Sequence, residues 1–207
     1  MKVLLINGSP HVNGCTYTAL HVVAKELDQN GIETEIVHVG HKDIRGCIGC
    51  FKCRELGKCV FDNDLVNEVA TKFKEADGLV VGSPVYFAGA NGTLTSFLDR
   101  LFFSASCEKR FKVGAAVASA RRMGTTATLD QLTKYFLHGE MPVAASRYWN
   151  AVHGNTPEDV MKDEEGLQTM RVLGRNMAFL IRAIAREREA TGLPETEQRR
   201  ISTNFIR

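Results

Sequence analysis

Two periods alternate along this chain, and their order predicts its elements. Val3 to Ile6 is an unbroken apolar run closed by Asn7-Gly8, as expected of a strand buried on both faces. Residues 16 to 28 change to helical spacing, with Leu20, Val23, Ala24 and Leu27 on one face and Asn30-Gly31 as the stop. Ile32 to Val39 alternates and reads as a second strand. A stretch rich in cysteine and glycine follows, roughly residues 40 to 63. Leu65 to Phe73 is then helical, and Gly78 to Gly82 predicts a third buried strand. Leu94 to Phe103 predicts a helix, Val113 to Ala118 a strand and Thr126 to Leu137 a helix. Residues 142 to 149 make a poorer fifth strand. The last helix starts near Pro157 and is clearest from Leu167 to Arg188, where Met170, Leu173, Met177, Leu180, Ile181 and Ile184 keep the helical period.

Single helices between successive strands imply a parallel sheet with right-handed crossovers. The expected class is therefore α/β: a flavodoxin-like, doubly wound, five-stranded parallel sheet of order 2-1-3-4-5 with a long C-terminal helix. Its ligand crevice lies beyond the carboxyl ends of the strands. No repeat, low-complexity tract or linker interrupts the 207 residues, so one domain spanning 1–207 is expected, with a cysteine-rich loop at 43–63. The hydrophobic fraction of 44% and charged fraction of 24% are those of a globular, water-soluble protein. A net charge of +2, from 26 basic and 24 acidic residues, argues against nucleic acid as the main partner. It argues mildly against a small electron carrier that steers its encounters with a large net charge. The apolar N-terminal run is too short for a signal peptide, and nowhere do about 18 apolar residues run together, so no membrane span and a cytoplasmic protein are expected. Disulfides are then not expected among the six cysteines. The basic tail (Arg199, Arg200, Arg207) reads as a solvated end or a subunit contact.

Three loops open on the predicted crevice. The first, Asn7 to Thr16, combines glycines with the hydroxyls of Ser9 and Thr16 at a helix start, where orphan N–H groups can hold a phosphate. It lacks the lysine of a Walker A loop and the spacing of the dinucleotide glycine fingerprint. By its residues alone it reads equally as a phosphate cradle or a turn before a well-capped helix. The second, Gly82 to Ala90, sets Tyr86 and Phe87 after Pro84; such a pair forms either a wall against a flat ring system or part of the core. The third, Ala118 to Thr126, offers small residues and the pair Arg121-Arg122, which meets an anionic ligand or is a solvated turn.

Gly8-Ser9-Pro10 followed by Thr16, the run Ser83-Pro84-Val85-Tyr86, and Leu94 with Leu98-Asp99-Arg100 together resemble the NADPH-dependent FMN reductase family, in order and separation, over residues 1 to about 155. The resemblance implies FMN held at a subunit–subunit site in homodimers or homotetramers. It implies a phosphate site at Ser9, His11, Asn13, Gly14, Cys15 and Thr16, an isoalloxazine loop at Pro84, Val85, Tyr86 and Phe87, and a third loop at Ser119 and Gly124. Cys15 departs from the pattern, since family members often carry asparagine or serine there. A helix start can lower a thiol pKa, but Cys15 reads first as a small helix-start residue beside the phosphate. Asp99 and Arg100 are expected to brace helix and loop rather than to react.

Cys47, Cys50, Cys53 and Cys59 are spaced C-x2-C-x2-C-x5-C, which can wrap a cubane cluster with three thiols in seven residues and a fourth beyond. Zinc, which usually takes two separated pairs, fits less well. The spacing resembles the iron–sulfur flavoprotein branch of the same family, which implies a 4Fe-4S cluster exchanging electrons with FMN. Cys107 reads as incidental, and His138 and His153 as surface or packing residues. His153-Gly154, after Trp149-Asn150, is also placed to touch ligand or a neighbouring subunit. The expected reaction is hydride transfer from NADPH or NADH to the flavin, then electron delivery to a small-molecule or protein acceptor in a pocket shaped by Tyr86, Phe87 and Trp149. Two other readings stand beside it: an electron carrier between protein partners, and a redox or metal sensor built on the cysteines.

Overall fold

The computed structural model describes residues 1–196 together with Ile201, Thr203 and Phe205; the basic tail lies outside the described residues. The elements in chain order are β1 (Lys2–Asn7), α1 (Cys15–Gln29), β2 (Glu33–His38), α2 (Cys53–Leu56), α3 (Val66–Glu75), β3 (Gly78–Tyr86) and β4 (Gly89–Ala90). They continue with α4 (Gly92–Ser104), β5 (Val113–Ala120), α5 (Thr125–His138), β6 (Ala151–His153), α6 (Pro157–Val160) and α7 (Glu164–Thr191).

The sheet runs β2-β1-β3-β5-β6, every pair along that path parallel, which is the doubly wound order expected. Alternation of side chains across each strand divides the core in two. Leu4, Ile6, Leu79, Val81 and Ala116 face α3, α4 and α5, whereas Val3, Leu5, Val80, Val113 and Val117 face α1 and α7. Phe73, Phe97 and Phe136 are fully buried in the first layer, each contributing about 1.5–3 kcal/mol by burial. All eight residues of β5 are buried. The edge strand β2 instead carries Glu33 and Glu35, and Glu35 joins Lys2 on β1 at 2.9 Å and Lys72 on α3 at 2.7 Å.

Three expectations are corrected. The fifth strand is Ala151–His153, not 142–149. Only Val143 of the earlier segment bridges β5, at Gly114. Beyond it Ser146 donates to Tyr148 O and lies 2.7 Å from Asn150 Oδ1, a local turn that competes with the ladder. The third strand continues to Tyr86 and folds back on β4 as a hairpin. The C-terminal helical stretch is two helices. Thr156 and Asp159 form a capping box on α6, and Asp163 caps α7 by accepting from Gly166 N at 2.9 Å.

Because the strands are parallel, the segments after β1, β2, β3, β5 and β6 all emerge at one edge. None of the described helices is long and apolar enough to cross a membrane.

Candidate functional site

The loop after β1 is built around Asn7, which is fully buried. Its Oδ1 accepts from Ser9 N at 3.0 Å and its Nδ2 donates to Val12 O at 3.1 Å, so one side chain sets both ends of the turn. Ser9 Oγ accepts from His11 N at 3.1 Å. Thr16, on the first turn of α1, lies 2.7 Å from Ser119 Oγ of β5, joining the first loop to the third. Ser9, Thr16 and Ser119 are all buried, while His11 and Asn13 are exposed. Gly14 caps α1 with no side-chain acceptor, which leaves the first-turn N–H groups facing outward for an anion.

A brace behind this loop carried no signal in the sequence. His38, at the end of β2, donates from Nε2 to Ser9 O at 2.6 Å and stacks on His41 with centroids 4.2 Å apart. Desolvation, then the neighbouring His38 and Lys42, hold His41 below the ordinary imidazole value. Between them Gly40 lies against the carbonyl groups of Gly8 and Ser9, where a Cβ would find no room.

Cys15 is no acidic helix-start thiol. Burial raises its thiol pKa, and Asp159 and Glu158 add to the rise. Its Sγ lies 3.8 Å from Gly154 O, tying the first loop to the turn after β6.

In the second loop, Phe87 and Ala88 form the two-residue turn between β3 and β4, both left-handed at φ 49° and 58°. That is the hairpin geometry usually filled by Asn-Gly, and it costs non-glycine residues of order 1 kcal/mol each. Phe87 is fully exposed and Tyr86 is 45% exposed, so neither belongs to the core; Pro84 and Val85 are half-buried behind them. Gly124, left-handed at φ 94°, closes on this hairpin: a Cβ there would sit 2.8 Å from Ala88 Cα and Val85 Cγ1. Gln131 of α5 accepts from Ala90 N at 3.0 Å. The second and third loops are thus locked together, and the structure brings Ser9, Thr16, Ser119, Gly124 and the hairpin to one edge of the sheet. Arg121, Arg122 and Met123 point to solvent.

The cysteine loop forms a separate cup, lined by Cys47, Cys50, Cys53 and Cys59 together with Phe51, Phe103 and Arg100. Arg100 is its anchor. The guanidinium is buried, donates to Cys59 Sγ at 3.3 Å, to Phe61 O at 3.2 Å and to Arg45 O at 3.3 Å, and pairs with both carboxylate oxygens of Asp64. Asn67 clamps the same segment, accepting from Cys59 N at 2.9 Å and donating to Cys59 O at 3.0 Å and Phe61 O at 3.2 Å. Asp99 takes the hydroxyl of Tyr135 at 2.5 Å, so both members of the Asp-Arg pair are braces as expected; Asp64, Asn67 and His38 were missed. Cys59 is buried, Cys53 half-buried, and Cys47 and Cys50 are exposed. Among the described residues no three His, Cys, Asp or Glu side chains are grouped as ligands of one metal ion. Four thiols around a shared cup nevertheless fit in kind a cage that takes one cysteine per iron.

Residues 1–156 match the NADPH-dependent FMN reductase family. An iron–sulfur flavoprotein of Methanocaldococcus jannaschii is 38% identical over 192 residues, covering 89% of this chain and 99% of its own. One of Methanosarcina thermophila is 26% identical over 91% of this chain and 100% of its own. Among solved structures, a flavodoxin from the domain Archaea superposes with a TM-score of 0.60 at 15% identity, over 88% of this chain and 99% of its own; at that identity it bears on the fold alone, which is flavodoxin-like.

Proposed function

This chain belongs to the NADPH-dependent FMN reductase family, in its iron–sulfur flavoprotein-like branch, and from that premise we propose that it is an FMN-dependent NAD(P)H oxidoreductase passing electrons to an acceptor. The observation that carries the reading is the convergence of three loops, fixed to one another by Thr16–Ser119 and by Gly124 against Val85 and Ala88, at the carboxyl edge of the sheet.

FMN, when bound, supplies the hydride and electron chemistry. The chain's own residues bind and orient it. Ser9, Thr16 and the open N–H groups of α1, with Gly14 and Cys15 at the helix start, would hold the phosphate, joined by the exposed His11 and Asn13. A protonated Cys15 suits that place, because a thiolate there would repel a phosphate. Pro84, Val85, Tyr86 and Phe87 would wall the isoalloxazine ring, together with Ser119 and Gly124. Cys47, Cys50, Cys53 and Cys59 would hold a 4Fe-4S cluster, which would supply one-electron exchange, with Arg100 offsetting thiolate charge at Cys59. Homodimers or homotetramers, in the cytoplasm, are proposed with this reading; the exposed Phe87 favours a ring system or a second copy against it.

The test is the visible spectrum of anaerobically purified protein, with iron and sulfide assayed. Flavin bands with about four irons per chain are the expected result for a cluster-bearing flavoprotein. Flavin without iron would leave a plain FMN reductase, and no flavin after adding FMN would overturn the reading. The electron-carrier alternative predicts no steady-state NADPH or NADH consumption with a small acceptor. The sensor alternative predicts that all function is lost with the four thiols.

A further inference from the structure

Ser9 is almost fully buried, and both ends of its backbone are fastened. Its N–H donates to Asn7 Oδ1 at 3.0 Å, and its carbonyl accepts from His38 Nε2 at 2.6 Å. A carbonyl cannot donate, so Nε2 carries the proton of that bond. With N–H and C=O both held, the direction in which the side chain leaves the backbone is set. Its Oγ accepts from His11 N at 3.1 Å. A hydroxyl also has one proton to give, and among the described residues that proton has no acceptor. It is left for a ligand oxygen.

Pro10 comes next, which makes the direction of the Ser9 carbonyl matter. Turning an ordinary peptide plane exchanges C=O for N–H on the ligand side, but proline has no N–H. A Ser9–Pro10 peptide turned toward a phosphate would show it only a carbonyl oxygen, whose partial negative charge opposes the anion. His38 closes that option by engaging the carbonyl from the end of β2.

The donor is itself held. His41 stacks on the His38 ring with the planes 24° apart. Val39 N and Gly40 N both donate to Asn7 O, at 3.0 Å and 3.3 Å, so the end of β2 is clipped to the end of β1. Gly40, with no room for a Cβ, rests on the Gly8 and Ser9 carbonyl groups. An anchor fixed before the ligand arrives costs little entropy on binding.

We propose that His38 is a positioning residue, acting through Ser9, that makes the loop select a flavin bearing a phosphate monoester over riboflavin. The proposal rests on the flavin reading above for the ligand itself. By fixing the Ser9–Pro10 peptide, His38 keeps one carbonyl oxygen away from the phosphate and one hydroxyl proton available to it. A bond that served only to satisfy a buried carbonyl would support both flavins alike.

Full-length protein freed of flavin and titrated with FMN, and separately with riboflavin, tests this. His38→Leu should weaken FMN binding about tenfold, the scale of one lost hydrogen bond, and leave riboflavin within about twofold. His38→Gln, whose amide can still donate to Ser9 O, should return FMN affinity to within about threefold of the parent. Equal losses for the two flavins would make His38 a support of the fold alone and overturn the proposal. So would a glutamine variant no better than leucine. Should His38→Leu fail to fold, the parent carries the test through nuclear magnetic resonance with isotope-labelled histidine. There the His38 ring signals should move on adding FMN and stay in place with riboflavin; signals that both flavins move alike would overturn the proposal. A parent that binds neither flavin would sink the cofactor reading and this proposal together. A parent that prefers FMN, with His38 variants that keep the preference, would sink this proposal and spare the reading.

Discussion

Phe87 holds a strained left-handed conformation with its ring outside the packed chain, and Ala88 beside it is left-handed too. A large apolar side chain kept in solvent at a conformational cost is explained by something that covers it. Phe87→Ala should therefore weaken FMN binding by roughly 1–3 kcal/mol, the range for a lost aromatic contact, measured by titration of flavin fluorescence. Because the ring leaves no core cavity, the melting temperature of the flavin-free protein should hardly move. An unchanged FMN dissociation constant would remove the ring from the flavin wall. The exposed pair Tyr86-Phe87 was legible in the sequence, since an aromatic pair between Pro and Gly on a loop is hard to bury. The left-handed turn was not, because Phe-Ala carries none of the Asn-Gly signal for that geometry.

At the scale of elements, two ion pairs of different character hold the chain. Asp64 and Arg100 are nearly inaccessible, 5% and 1% exposed, and the guanidinium also fixes three points of the cysteine loop. Asp64→Asn leaves a buried cation without its counter-charge, so a loss of about 3 kcal/mol or more is expected in urea denaturation. Proteolysis within residues 43–63 should speed up alongside. Glu35 belongs to the other kind. Lys72 and then Lys2 hold its carboxyl below the ordinary value, and all three side chains are about 30% exposed. A depressed carboxyl stabilises the fold above its unfolded pKa, and that contribution fades as pH falls through the folded one. Glu35→Gln should cost no more than about 1 kcal/mol at pH 7. The difference from the parent should close on acidification below pH ~4, near the unfolded carboxyl value; a gap that stays constant to pH 3 would assign the effect to packing.

Across the whole molecule, the strand order and the identity of the three loops could be read from alternating periods, because the buried strands are continuous apolar runs and each helix has a clear stop. The position of the fifth strand could not. Residues 142 to 149 make a weak strand pattern, broken by Ser146 and Arg147, and the local bonds of Ser146 divert them. Asp64, Asn67 and His38 escaped notice for a related reason. His38 and Asp64 act through partners far along the chain, Ser9 and Arg100, and Asn67 clamps irregular backbone five to eight residues before it, for which no period signals a partner. The crevice and the cup rest on different scaffolds, one on β1, β3 and β5, the other on α4 and the start of α3. If the cup holds a cluster as proposed, serine at all four of its cysteines should abolish iron binding and leave FMN affinity within about twofold, a comparison made by iron assay and flavin titration on the same preparation. Joint loss of both would show that the two sites fold as one.

One helix nevertheless touches both. Asn91 caps α4 directly after the hairpin, donating to Ser83 Oγ at 2.9 Å, and Arg100 on the same helix reaches Cys59. Eight residues separate Gly92 from Arg100, about 12 Å along the axis at 1.5 Å per residue. A helix used as a ruler reads only in discrete marks. Inserting one residue between them would advance the guanidinium by about 1.5 Å and swing it by about 100°, away from Asp64. Descendants of this sequence can lengthen or shorten the span by three or four residues, a near-whole turn, and by little else.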